Sequence, residues 1–301
     1  MHFRFKTYLQ SPIGIWNRLL RDVPYLLRGT TYYASCRNND RQPQLPKPNY
    51  EVQKEYLDRK QHRDADAVVY TCITGGYDDI TKIACPTAVD FDVDYVCFTD
   101  NIQDVGAGRI GVWSVRPLVF DLLDDTRNNR WHKTHPHLLF PEYGESVYID
   151  ANVNILGAGF IDGLRHSSQK MAFPRHPMRD CIFDEYANAF AEFIDSSSEM
   201  WKEQRAIRQS GMPRHYGLTE NNIIYRKHND PEVIAIMEEW WNMISRYSKR
   251  DQLSLPWILW KHGISMSAVS FSHWHDAPNT YCVFPHERRS ASFTGKTSPL
   301  V

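Results

Sequence analysis

Apolar residues along this chain come first in short unbroken runs and later in helical repeats. Ala67-Val-Val-Tyr-Thr-Cys-Ile-Thr74 is a continuous apolar and β-branched run closed by Gly75-Gly76. Such a run suits a strand buried on both faces that opens into a loop. Asp94-Tyr-Val-Cys-Phe-Thr99 repeats the pattern and stops at Asp100-Asn101, and Ser146-Val-Tyr-Ile-Asp150 repeats it with an acid at its carboxyl end. Helical periodicity lies between the strands, around Thr126–Leu139, and dominates afterwards. Asp184–Gln209 reads as one long helix terminated by Gly211. Asp230-Pro231-Glu232 opens another, with an Asp cap, a Pro at the first position and an acid near the positive dipole end. Val233, Ile236, Met237, Trp240, Trp241 and Ile244 then recur at spacings of three and four, so that helix lays a broad face on the core. Strands alternating with helices, followed by a helical and irregular second half, predict an α/β fold.

The first 60 residues read differently. Residues 1–30 carry Arg4, Lys6, Arg18, Arg21 and Arg28 against the single acid Asp22. Ile15, Trp16, Leu19, Leu20 and Val23 recur there at helical spacing. A basic amphipathic helix of this kind either lies in a membrane interface or packs on the protein's own body. Residues 37–49 are polar and Pro-rich and read as a linker. The expected organisation is therefore a basic helix and linker over 1–60, one main domain over 61–285 and a tail over 286–301.

Charge and composition narrow the function. Lys plus Arg number 35 and Asp plus Glu 36, a net charge of −1, which speaks against a nucleic-acid partner. The 42% apolar and 24% charged fractions match a soluble globular protein. No run approaches the roughly 20 apolar residues needed to span a bilayer. The six cysteines form no CxxC pair, and Cys72 and Cys97 fall inside strand-like runs, as small hydrophobes do. With no secretory signal visible, a reduced, cytoplasmic chain is expected, peripheral on the inner membrane face if the basic helix binds there. Nine Trp, 16 Tyr and 14 Phe supply core packing or platforms for sugars and bases.

The chemistry-bearing residues cluster at the strand ends. Asp150 closes a predicted buried strand, and Asn152 follows two residues on, so an extended chain points both side chains to one side. Ligands of parallel sheets bind outside the carboxyl ends of the strands. A carboxylate and an amide oxygen there suit a divalent cation, Mn or Mg, bridging a diphosphate, although Asx residues also cap turns routinely. Arg127, Arg130 and Lys133 share a helix face that suits phosphate oxygens, although such spacing more commonly marks a solvated face. His132, His135 and His137 lie in the same stretch, where Pro136 disrupts the helical spacing a metal site would use. Gly75-Gly76-Tyr77-Asp78 follows the first strand; the glycines let backbone approach a ligand, and Tyr77 offers a ring to a base. Other polar clusters are Arg175–Asp180, Gly217–Asn222 and Arg250-Asp251-Gln252, in which Asp251 is placed to cap the apolar run Leu253–Trp260. His273 and His275 offer two imidazoles on one side of an extended segment.

The order of these segments resembles the nucleotide-sugar site of GT-A glycosyltransferases, in which a basic helix precedes a strand ending in Asp-x-Asp. Together, VVYTCITGGYDDI, DYVCFTDN, SVYIDANV, RHPMRDCIFDE, GLTENNIIYRKHND and RDQLSLPWILWKHG resemble the glycosyltransferase-like domain of the plant TOD/MUCI type, over about residues 65–265. The resemblance implies a GT-A-like, Rossmann-type mixed sheet flanked by helices. It also implies sugar transfer from a nucleotide sugar, with UDP the expected nucleotide, to a glycan or lipid-linked glycan in polysaccharide biosynthesis. Carried over by position, Asp150 is the principal metal ligand and Asn152 the second motif position. The family pattern has an acid at that second position; an amide lowers metal affinity and shifts diphosphate charge onto Arg130 and Lys133. Thr74, Gly75, Tyr77 and Asp100 fall around the base and ribose, Asp251-Gln252 resembles the pair near the reacting carbon, and His273 or His275 resembles a late metal-ligating His. If the reaction inverts, Asp251 or Glu220 is the expected base. Two other classes stand beside this one: a non-catalytic binding module of the same fold, and a glycoside hydrolase using Glu220 and Asp251.

Overall fold

The computed structural model describes residues 50–60, 65–84, 86–273, 276–277 and 279–286. The three strands expected from the apolar runs form as β1 (Ala67–Ile73), β2 (Val93–Thr99) and β5 (Glu145–Ile149). With β3 (Arg109–Ile110), β4 (Trp113–Pro117), β7 (Met171–Pro174), β8 (Ile223–Arg226) and β9 (Ser270–Phe271) they build a sheet ordered β3-β4-β2-β1-β5-β8-β7-β9. β4, β2, β1 and β5 run parallel, while β8 is antiparallel to β5 and β7 antiparallel to β8. A separate antiparallel pair joins β6 (Val153–Ile155) to β10 (Tyr281–Val283). The molecule is thus the expected mixed α/β sheet flanked by helices.

Every residue of β1 is buried, because both sheet faces are covered. Val69 and Ile73 face a cluster with Tyr95, Trp113, Ile161 and Tyr56. Val68, Tyr70 and Cys72 face the other way, onto Val233, Ile236, Met237 and Trp240 of the helix Pro231–Arg246. Asp230 caps that helix as its sequence requires, accepting from the amides of Glu232 and Val233. Trp240 is core, as its spacing predicts. The helix Tyr50–Lys60 also packs on the sheet, with Tyr56 fully buried and its hydroxyl donating to Val93 O at 3.1 Å. The rest of the basic amino-terminal segment lies outside the described residues.

Two expectations need correction. The helix predicted over Asp184–Gln209 is two helices, Ile182–Ala191 and Ser197–Gln209, because the chain turns at Phe193 and Asp195 bonds to a distant segment. Asp251 does not cap the following helix; it sits in a 3₁₀ turn, Asp251–Leu253, and the helix Leu255–Lys261 begins without a side-chain cap. A buried lysine claims its carboxylate instead, as described next.

Candidate active site

A cavity of about 650 Å³ opens at the carboxyl ends of β1 and β5. Its first wall is the turn after β1. Thr74 Oγ1 donates to Asp125 O at 2.7 Å, and the Gly75 amide donates to Asp100 Oδ2 at 2.8 Å. Gly75 has φ +61, and a Cβ there would meet Asp125 Oδ2 at 2.3 Å, so a side chain at this position would strain the turn and displace the Asp125 carboxylate. Thr74, Gly75 and Tyr77 line the cavity, whereas Asp100 touches the site through its bond to Gly75.

The second wall is the helix Asp125–Thr134, whose amino end Asp124 caps by accepting from the Arg127 amide. Three-residue spacing puts Arg127, Arg130 and Lys133 on one face, but they part company. Arg127 fastens the helix to the end of Pro231–Arg246, donating to Ile244 O at 3.0 Å and Tyr247 O at 2.7 Å. Arg130 and Lys133 line the cavity. Lys133 is 1% exposed, with Nζ 2.7 Å from Asp251 Oδ2 and 3.5 Å from Asp150 Oδ1. Arg130 Nε lies 3.4 Å from the same Asp251 oxygen. Burial by itself raises the Asp251 carboxyl, but Arg130 and then Lys133 outweigh it and hold it at about 2. His132, His135 and His137 serve packing. His132 Nε2 accepts from Val119 N at 2.9 Å, the His135 ring stacks on Trp131, and His137 meets Glu238 at 2.9 Å.

Asp150 directly follows β5, and its amide donates to Asn222 O at 2.8 Å. The chain then turns, with Val153 N donating to Asp150 O at 2.9 Å, so Asp150 and Asn152 are not presented in parallel as on an extended strand. Both nevertheless line the cavity. Asn152 Nδ2 donates to Phe284 O at 2.8 Å and lies 3.3 Å from His286 Nε2, while Phe284 N donates back to Asn152 O at 3.0 Å. His286 Nδ1 is 3.0 Å from both Asp78 carboxylate oxygens, and its ring centroid is 4.5 Å from that of Tyr77. Residues 284–286 are thereby stitched across the cavity from Asn152 to the β1 turn.

The far side carries Glu220, Asn221 and Asn222 with Lys249, Arg250, Asp251 and Gln252. Glu220 Oε2 accepts from Asn222 Nδ2 and lies 3.0 Å from His273 Nε2. Burial raises the Glu220 carboxyl, but the His273 hydrogen bond leads the contacts that bring it below its ordinary value. Gln252 Nε2 reaches Thr219 O at 3.4 Å, while its Oε1 is buried with no partner among the described residues. Arg250 is braced from behind by Glu185, a fully buried carboxylate that Arg179 also holds, at 2.7 Å.

Of the four residues expected to bind metal, Asp150 and Asn152 meet at the cavity. His273 is 2% exposed and engaged with Glu220, and His275 lies outside the described residues. Among the described residues, no group of three or more His, Cys, Asp or Glu side chains is arranged to hold an ion. With the Asn152 amide nitrogen tied to Phe284, its Oδ1 is the atom suited to a hard cation. Asp78 stood out only as part of the turn after the first strand, and sequence reasoning missed His286 and Lys249 as cavity residues. Lys249 adjoins the Arg250-Asp251-Gln252 cluster that did stand out, whereas His286 pairs with Asp78 across 208 positions and leaves no local signal.

No curated protein matches the chain. Solved structures similar to it include an apo WbbM bifunctional glycosyltransferase, at 13% identity and a TM-score of 0.45, covering 71% of this chain and 40% of that one. Apo GlyE, a glycosyltransferase of Streptococcus pneumoniae TIGR4, is 10% identical with a TM-score of 0.41, covering 70% and 46%. Mouse xyloside xylosyltransferase 1, also apo, is 9% identical with a TM-score of 0.39, covering 70% and 85%. The chain thus spans less than half the length of the first two. The family model described as the TOD1/MUCI70 glycosyltransferase-like domain matches residues 42–277, an interval that contains every quoted block, and the chain belongs to that family.

Proposed function

We propose that this protein is a nucleotide-sugar glycosyltransferase that holds its donor in the cavity between β1, β5 and the helix Asp125–Thr134. Family membership supports the transferase role. The observation that carries the donor reading is the placement of Lys133 and Arg130 beside Asp150 and Asp251, at the carboxyl ends of parallel strands. Thr74, Gly75 and Tyr77 would take the base and ribose, with Asp100 fixing the turn that carries them. UDP is the expected nucleotide. Asp150 and the Asn152 Oδ1 would hold a Mn or Mg ion, which on binding neutralises the diphosphate; acids stand among the bases of the cavity, so a cation arriving with the donor suits it.

Departure of the nucleoside diphosphate develops negative charge on its leaving oxygen. Arg130 and Lys133 are fixed by Asp251 before the donor arrives, so they meet that charge without reorganising. Asp251 is therefore given an electrostatic role: a carboxylate held at about 2 is a weak base. Glu220, bonded to His273 and Asn222, is the better candidate to take the acceptor proton. Gln252 would offer its unpartnered Oε1 to a hydroxyl of the donor sugar. The acceptor is proposed to be a glycan or lipid-linked glycan. No helix among the described residues is long and apolar enough to cross a membrane. A place at the inner membrane face, reached through the basic segment before residue 50, belongs to the proposal. The uncharged amide of Asn152, where the motif has a second acid, favours a second reading, a binding module of the same fold without transfer.

Thermal shift against UDP-, GDP-, CMP- and TDP-sugars, with and without Mn, tests the proposal. Stabilisation by one nucleotide family is expected, since a ligand of the folded state raises apparent stability by mass action. Silence across the panel at millimolar ligand contradicts it. Binding without turnover in the presence of glycan acceptors favours the module.

A further inference from the structure

The loop that breaks the expected helix, Glu192–Ser196, holds Phe193 at φ +53. That left-handed region strains a residue with a bulky side chain and suits Gly or Asn. Phe193 is 49% exposed and joins none of the apolar clusters among the described residues. Neither backbone preference nor core packing accounts for a phenylalanine here. Strain kept without a packing gain points to a functional role for the side chain. The next residue reaches the site: Ile194 is 36% exposed and lines the cavity together with Lys249 and Arg250.

The loop is also latched to the catalytic side of the cavity. Asp195 Oδ2 accepts from Ser248 Oγ at 2.9 Å and from the Lys249 amide at 2.8 Å. The Ile194 amide donates back to Ala189 O at 3.1 Å, closing the end of the preceding helix. Ile194, Lys249 and Arg250 therefore share the cavity wall, and the exposed Phe193 precedes Ile194 on the loop that Asp195 braces against it.

We propose that Phe193 and Ile194 form the apolar platform of an acceptor subsite, which takes the C–H face of a pyranose ring from a glycan. A pyranose presents apolar C–H bonds on its face and hydroxyls at its edge. The ring and the aliphatic side chain meet the first, and Lys249 and Arg250 are placed for the second. The inference rests on the donor reading above.

Phe193→Asn removes the ring and suits the left-handed backbone. Its melting temperature is expected to equal or exceed that of the wild type, whereas a ring required for folding would lower it by several degrees. Saturation-transfer NMR is then run with UDP and, separately, with methyl glycosides of galactose, glucose, mannose and rhamnose. The UDP signals are expected unchanged, and the pyranoside C–H signals seen with wild type are expected to fall at least fivefold in Phe193→Asn and to return in Phe193→Tyr. Equal pyranoside signals in wild type and Phe193→Asn, no pyranoside signal from wild type, or a lowered melting temperature overturns the proposal. Absence of UDP signal from wild type overturns the donor reading and this one with it. UDP signal with pyranoside contact independent of Phe193 overturns this one alone.

Discussion

Lys133 sits with its ammonium between Asp251 and Asp150, and 4.9 Å from the centroid of the Tyr148 ring. Burial lowers its pKa below the ordinary lysine value, and the two carboxylates offset only part of that. A buried pair of this kind stands or falls as a unit, because removing one partner strands the other's charge at about 3–5 kcal/mol. Lys133→Met and Asp251→Asn are each expected to lower stability by an amount of that order. The double variant should recover a substantial part, as a urea-denaturation double-mutant cycle would read; strictly additive losses would contradict the coupling. Asn152 makes a second prediction at this scale. Asn152→Asp restores an acid-x-acid motif on paper, yet it removes the donor to Phe284 O and sets a carboxylate against that carbonyl. A loss of about 1–3 kcal/mol is expected, and a melting temperature equal to wild type would contradict the clasp. The sequence made Asp150, Arg130 and Lys133 visible because strand ends and helix spacing are local properties. It did not reveal the clasp, since Phe284 and His286 stand 132 and 134 positions from Asn152.

The helix Ser197–Gln209 shows how an element can follow its periodicity and still be misjudged in length. Apolar spacing runs on through Asp184–Gln209, but Asp195-Ser196-Ser197-Ser198 is a run of turn-forming residues within it. What decides the break is tertiary: Asp195 is bonded to Ser248 and Lys249, more than 50 positions away. The same helix carries Glu203, a fully buried carboxyl group beside the Tyr186 hydroxyl. Burial raises its pKa from an ordinary 4.5 to about 8. The native state therefore keeps a proton that the unfolded chain releases above 4.5. Its contribution to stability is complete below the unfolded value, falls by up to about 1.4 kcal/mol per pH unit through that window, and levels off above the folded one. Glu203→Gln should remove this slope, making the variant's advantage over wild type larger at pH 8 than at pH 5 in chemical denaturation. An equal difference at both pH values would contradict the assignment.

Across the whole molecule, the central strands were legible because a sheet covered on both faces demands unbroken apolar runs, and β1, β2 and β5 are such runs. The short strands β7, β9 and β10 were not, since each has four residues or fewer and depends on partners distant in sequence. The cavity follows from the sheet. The parallel strands deliver the β1 turn and Asp150 to one edge, and the antiparallel β8 brings Asn221 and Asn222 to the same edge from the opposite direction. This edge is proposed to receive a nucleoside diphosphate. Calorimetric titration of UDP in the presence of Mn, on wild type and Asp150→Asn, tests it most directly. Saturable binding to wild type is predicted, at least tenfold weaker in the variant, equivalent to about 1.4 kcal/mol. Equal affinity for both proteins, or no binding to wild type, would contradict it.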